Sequence, residues 1–290
     1  MWYRCHKLEK MSSVSDLMKA LAYVKRHVLF DEATHRYYWR TRPGGVIREY
    51  IGVSTYCSRY IPAFDNEYWS RYKAERLGVP QAEIKRLWDV RQKRALEIGK
   101  RIHAYLEGRA AGKVPAISSE FDPWFDSGDH GMTAQEEFHA YMDMAEAYMD
   151  AFMSEYVPLA TESIVVNHAS QVMGTIDVLY WRDGIAIRDY KTGLMKSGYG
   201  NLLGPFSDMD DSTVSKWTLQ LNCYRQCLES MGIEVTSMEI IHFDLAGGMW
   251  NTVEIPERKI FIGDESSRGD KSDTFGYQSG QRGRVTVEGE

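Results

Sequence analysis

The chain has 290 residues, 43% hydrophobic and 26% charged, which is ordinary for a globular protein and long enough for a sizeable core in one large domain. Its 35 basic and 41 acidic residues leave a net charge of −6, which disfavours a general nucleic-acid binder but leaves room for a local basic groove or a carboxylate metal site. No apolar run is long enough to span a membrane, and the amino terminus lacks the apolar core of a secretion signal, so the expectation is a cytoplasmic protein. Glu9 and Asp16 argue against a mitochondrial transit peptide. Cys5, Cys57, Cys223 and Cys227 form no Cys-x-x-Cys pair, which argues against a zinc ribbon and for free thiols in a reducing compartment.

In chain order, residues 13–27 carry Leu17, Leu21 and Val24 at helical spacing and read as a short helix. The segment from Val28 through GVST reads as β structure, with the turn RPGG at 42–45 making a hairpin. From Pro80, placed at the first helical position, to Arg109 the pattern is helical, with Gly99 inside it allowing another backbone to approach closely. Residues 111–132 read as a loop. Thr133 and Glu136 form a capping-box signature ahead of a helix over 134–156, whose stripe of Phe138, Tyr141, Ala145, Tyr148, Phe152 and Tyr156 is read as core. Strands are expected near 161–167, 172–181 and 185–190, then a helix over 213–231 ended by Gly232, then strands near 236–243 and 250–255. Residues 263–290, rich in Gly, Ser and charge, read as a flexible tail. The division is a single domain over 1–262, with a hairpin region at 30–65, a helical region at 66–156 and a core at 157–262.

The chemistry concentrates in GTIDVLYWRDGIAIRDYKTG, from Gly174 to Gly193. Two strands each carry one carboxylate, Asp177 and Asp189, and Lys191 follows the second by two positions. Side chains alternate faces along a strand, so the turn decides whether these groups meet. A loop of only Asp183 and Gly184 sets Asp177 opposite Tyr190 and turns Asp189 away. A loop of Arg182, Asp183 and Gly184 sets Asp177 opposite Asp189 and puts Lys191 on the same face. The second is the expected register, with Gly184 at the left-handed third loop position. Two carboxylates that close repel unless a cation is present, and Mg²⁺ prefers oxygen ligands. Lys191 can orient a water or stabilise developing negative charge. Taken alone, Asp-x-Lys also fits a surface pair on an edge hairpin, but the flanking Ile176, Val178, Ile185 and Ile187 favour a buried one.

Three further groups accompany it. Gln220 and Tyr224 lie one helical turn apart and share a face. His103 lies four residues after Gly99 and four before Glu107, and is either structural or a metal ligand. Glu162, on the strand before the hairpin, is either a further site carboxylate or a surface glutamate.

In this order the motifs resemble the RecB-like branch of the PD-(D/E)XK nuclease superfamily: Gly-x-x-x-His at Gly99 to His103, Gly-x-x-Asp at Gly174 to Asp177, (Asp/Glu)-x-Lys at Asp189 to Lys191, and Gln-x-x-x-Tyr at Gln220 to Tyr224. The phrase HRYYWR followed by GVST is similar to phage and viral members in which a small hairpin precedes the nuclease core, and the resemblance covers roughly residues 30–255. It implies an α/β fold: a mixed central sheet flanked by helices, a restriction-endonuclease-like core with a helical insertion and an N-terminal β-hairpin. It implies metal ligation by Asp177, Asp189, the main-chain carbonyl of Tyr190 and His103, with Mg²⁺ or Mn²⁺ as the ion. Lys191 would handle the water, Gln220 and Tyr224 would steady the site and contact DNA, and Glu162 would be an auxiliary acid. Asp189 stands where the family more often has Glu. Cys223 and Cys227 lie inside the Gln-x-x-x-Tyr helix and no late cysteine triplet follows, so no iron–sulfur cluster is expected. The implied activity is metal-dependent hydrolysis of DNA phosphodiesters, favouring an exonuclease that trims single-stranded or duplex ends alongside recombination or replication proteins. The alternatives are a structure-specific endonuclease or resolvase of the same fold, a non-catalytic DNA-binding scaffold, and a hydrolase of another phosphate ester.

Overall fold

The computed structural model describes residues 2–31, 34, 36–42, 45, 47–128 and 131–261, with side chains from residue 14 onward. The tail expected at 263–290, the centre of the RPGG turn and the Cys5 side chain lie outside the described residues.

Helix α1 (Trp2–His27) leads into a meander of β1 (Val28–Asp31), β2 (Arg36–Arg40) and β3 (Ile47–Gly52). Helices α2 (Val53–Ser58), α3 (Asn66–Leu77), α4 (Gln81–Ala110) and α5 (Ala134–Glu155) follow, then β4 (Val157–Asn167), β5 (Val172–Trp181), β6 (Ile185–Lys191), α6 (Thr213–Ser230), β7 (Ser237–Asp244) and β8 (Met249–Glu254). The eight strands form one mixed sheet flanked by helices, the α/β architecture expected from the sequence. β6 and β7 are parallel because the chain crosses over through α6 between them. The meander joins the sheet through a short parallel contact of β3 with β5, at Ile51↔Val172 and Gly52↔Met173.

The sheet buries both faces. On one, Leu17 of α1, Val53 and Cys57 of α2, and Leu219 and Cys223 of α6 pack on Val165, Leu179, Ile187 and Ile240. On the other, Ile98, Ile102 and Leu106 of α4 and Tyr141, Met149 and Phe152 of α5 pack on Tyr180, Ala186 and Phe243. The aromatic stripe of α5 is therefore core, with Tyr156 half-buried at the helix end. Cys57, Cys223 and Cys227 are free and buried. Among the described residues no helix is long and apolar enough to cross a membrane.

Several boundaries differ from the sequence reading. α1 begins at Trp2 rather than near residue 13, and no proline or glycine interrupts it. The segment after Gly52, read as strand, turns helical at Val53, with Gly52 as its extended N-cap. Pro80 is the N-cap of α4, one residue before the first helical position. The loop at 111–132 contains a 3-10 turn at Pro123–Asp126. The capping box of Thr133 and Glu136 forms in full, and Gly232, with φ of 82°, follows the end of α6.

The β5–β6 turn has the expected length for a different reason. Trp181 pairs with Ile185, so Arg182, Asp183 and Gly184 form the loop. The left-handed residue is Asp183, with φ of 53°, not Gly184. Gly184 is required by space: a Cβ there falls 2.1 Å from Thr236 Cγ2, where the segment entering β7 crosses the turn. Gly184→Ala is expected to destabilise the fold by about 1–3 kcal/mol through overpacking, and Thr236→Ala in the same chain to recover part of it, read by thermal denaturation.

Candidate metal centre

The register of β5 brings three carboxylates onto one rung. Val178↔Arg188, carried one step further, sets Asp177 across from Asp189. On the other side of β5, Thr161↔Val178 and Ser163↔Ile176 bracket Glu162 opposite Asp177. Glu162 adopts φ of 47°, a strained value for a residue with a Cβ, so the rung is locally irregular. The alternation of β5 breaks there too: Val172 and Ile176 pack under α6, whereas Val178 and Tyr180 pack under α4 and α5.

Sheet topology leaves space at this rung. β4 occupies one edge of β5 along its whole length. The opposite edge is shared, with β3 at Val172 and Met173 and β6 from Val178 to Trp181. Residues 174–177 therefore lack a strand partner on that edge. The Tyr190 N–H, just past the part of β6 paired with β5, donates instead to Asp177 Oδ2 at 2.8 Å.

Helices close the site from both sides. α4 supplies His103, whose Nδ1 lies 3.3 Å from Asp177 Oδ2 and 3.9 Å from Glu107 Oε1. The Tyr190 carbonyl is within hydrogen-bonding reach of His103. Gly99, one turn earlier, faces Thr192 Oγ1, which a Cβ would approach to 3.2 Å, so the close neighbour is a side chain rather than a second backbone. α6 supplies Gln220, whose amide nitrogen lies 3.4 Å from Asp189 Oδ1 and 3.0 Å from the Tyr224 hydroxyl. Tyr224 packs directly on Gly174, where a Cβ would fall 2.6 Å from the ring. That contact explains the glycine of Gly-x-x-Asp: it lets α6 sit low on the sheet. Beyond Lys191 the chain is held by the Tyr141 hydroxyl on the Thr192 carbonyl, at 2.5 Å, and by His242 Nε2 at 2.6 Å from the Gly193 carbonyl.

The ligating atoms of His103, Glu107 and Asp177 all lie within 4.8 Å of one another. Asp189 lies outside this closest group, and its Oδ2 is 2.5 Å from Lys191 Nζ. That oxygen is buried and accepts no hydrogen bond of normal geometry among the described residues. Glu107 was not assigned to the site from sequence, although its position four residues after His103 on one helix face was the available signal. The clamps from Tyr141 and His242 had none, because they depend on tertiary packing.

The electrostatics show a carboxylate excess. Burial, then the charge of Asp189, pushes the Asp177 carboxyl well above its ordinary range. Burial, then Glu162 as neighbouring charge and hydrogen-bond partner, pushes Glu107 up to about 9. Burial, then the Lys191 charge, lowers His103 and favours the neutral imidazole that ligates metals. Burial opposes the Lys191 ammonium, but Asp189 and Asp177 outweigh it and raise its pKa, so it stays charged. Protons on the acids thus relieve a repulsion that a divalent cation would relieve equally. Oxygen-rich donors and one neutral imidazole fit such an ion. Compared with known proteins, the chain matches no protein-family model and no curated protein.

The raised Glu107 sets a pH signature. Its folded-state pKa of about 9 lies above the unfolded value, so its contribution to stability is complete below the unfolded pKa and is lost as pH rises through about 9. In chelator, the melting temperature is expected to fall between pH 5 and pH 9. Glu107→Gln should flatten that slope, and Mg²⁺ should raise the melting temperature most at the alkaline end, as followed by circular dichroism.

Proposed function

We propose that this chain is a divalent-cation-dependent DNA nuclease of the PD-(D/E)XK, RecB-like kind, cutting phosphodiester bonds at DNA ends. One observation carries the reading: Asp177 on β5 faces the Asp189 and Lys191 pair on β6, with His103 and Glu107 of α4 over the same rung.

Hydrolysis needs a water aimed at phosphorus and relief of the negative charge that grows on the phosphoryl and leaving oxygens. A divalent cation held by Asp177, Glu107 and His103, with Asp189 and the Tyr190 carbonyl beside them, would polarise a phosphoryl oxygen and lower the pKa of a bound water. Lys191, whose ammonium Asp189 and Asp177 favour, would donate to the water or to the phosphoryl oxygen. Gln220 fixes the orientation of Asp189 and is itself held by Tyr224. Glu162, the neighbouring charge that raises Glu107, completes the acidic set.

End-labelled linear single strands, linear duplexes and closed circles, incubated with Mg²⁺ or Mn²⁺, test the reading. Cleavage confined to linear DNA is expected, and cut circles would assign an endonuclease of the same fold. Asp177→Asn and Lys191→Ala should each lower the rate by roughly 10²-fold or more, with Gln220→Ala costing less. If neither substitution affects cleavage of any DNA form, or the parent cuts none, the assignment fails.

A further inference from the structure

A groove of about 1140 Å³ lies between α3, the first turns of α4 and the loop that precedes α6. Its walls are unusual for a surface: Trp69 and Tyr72 of α3 are 45% and 43% exposed, Phe64 is 66% exposed, and Tyr199 on the facing loop is fully exposed. Water-facing aromatic rings gathered in one groove mark an interaction site. The rim carries Lys73, Arg76 and Lys216, and none of these makes a salt bridge among the described residues. The two acids of the lining are engaged internally: Asp65 caps α3 by accepting from the Tyr68 N–H at 2.9 Å, and Asp211 accepts from the Tyr199 N–H at 2.8 Å. A cationic rim on a chain of net charge −6 selects an anion.

One helix links the groove to the candidate metal centre. Lys216 lies on α6 one turn before Gln220, a rise of about 6 Å, and Gln220 reaches Asp189. A ligand with a regular row of negative charges and flat apolar faces matches cations and exposed rings together. Duplex DNA hides its base faces, whereas an unpaired strand presents them.

We propose that this groove holds an unpaired DNA strand, with bases stacked on Trp69 and Tyr72 and phosphates met by Lys73, Arg76 and Lys216, and feeds that strand along α6 to the carboxylate rung. The assignment of DNA rests on the nuclease reading, whereas the stacking site is tested without it. Anisotropy of a fluorescent oligothymidylate in chelator reads binding with no cleavage. The full chain should bind it, and Trp69→Ala with Tyr72→Ala should weaken binding by about tenfold or more. Trp69→Phe should keep most of the affinity, and Lys73→Gln with Arg76→Gln should reduce its salt dependence. A matched duplex should bind with no dependence on the two rings. Unchanged oligothymidylate affinity in a double variant that melts like the parent overturns the proposal. So does failure of the parent to bind, an equal loss on duplex, or tighter binding of the matched uridylate strand. Ring-dependent binding without Mg²⁺-dependent cleavage would sink the nuclease reading and leave the groove standing.

Discussion

Glu162, Asp177 and Asp189 occupy one rung across three adjacent strands, with Glu107 above them, and like charges this close cannot all ionise in a partly buried site. Much of the surrounding structure keeps them there. Tyr190 gives its N–H to Asp177, Gln220 approaches Asp189, and Lys191 is drawn onto the same oxygen set. The remaining repulsion is relieved by protons on Glu107 and Asp177, which makes the rung a place where a cation and protons compete. A fold optimised only for stability would replace such a set with apolar side chains, because removing the charges also removes their desolvation cost.

The opposite face of β6 shows what a settled buried charge looks like. Arg188, adjacent to Asp189, is equally buried but meets Glu239, while Tyr180 donates to the same carboxylate at 2.7 Å and Arg188 also reaches the Tyr148 hydroxyl at 3.0 Å. Aromatic rings of Phe152, Tyr156 and Tyr180 surround the guanidinium. Here charge is matched and hydrogen-bonding capacity is filled, and the Glu239 carboxyl sits below its ordinary range despite burial. The carboxylate excess is therefore specific to one rung, not a general property of the sheet.

The parts of this arrangement governed by local rules were legible in the sequence. Loop length sets Asp177 across from Asp189, and helical spacing puts Gln220 with Tyr224 and His103 with Glu107. The capping box at Thr133 marked the start of α5. What escaped depends on contacts distant in sequence. Gly184 looked like a left-handed turn residue, but Asp183 takes that conformation and Gly184 answers to Thr236, some fifty residues away. The helix at Val53 interrupts residues of good strand propensity because its buried face packs against α6. Glu107 gains its character from burial and then from Glu162, on a strand that no local pattern places beside it.

The shared edge of β5 links these observations. Had β3 or β6 paired along its full length, residues 174–177 would be tied into a ladder and the Tyr190 N–H would bond to main chain rather than to Asp177. Incomplete pairing leaves backbone groups that need other partners, so it persists only where the surroundings enforce it. Tyr224 and Val53 cover this stretch from above, both so close to Gly174 that no side chain fits between. From the meander, Tyr37 holds Thr175 by a 3.0 Å hydrogen bond. The glycine of Gly-x-x-Asp thus admits α2 and α6 to the sheet surface beside the open edge, three residues before the carboxylate that stands where a strand partner would otherwise be.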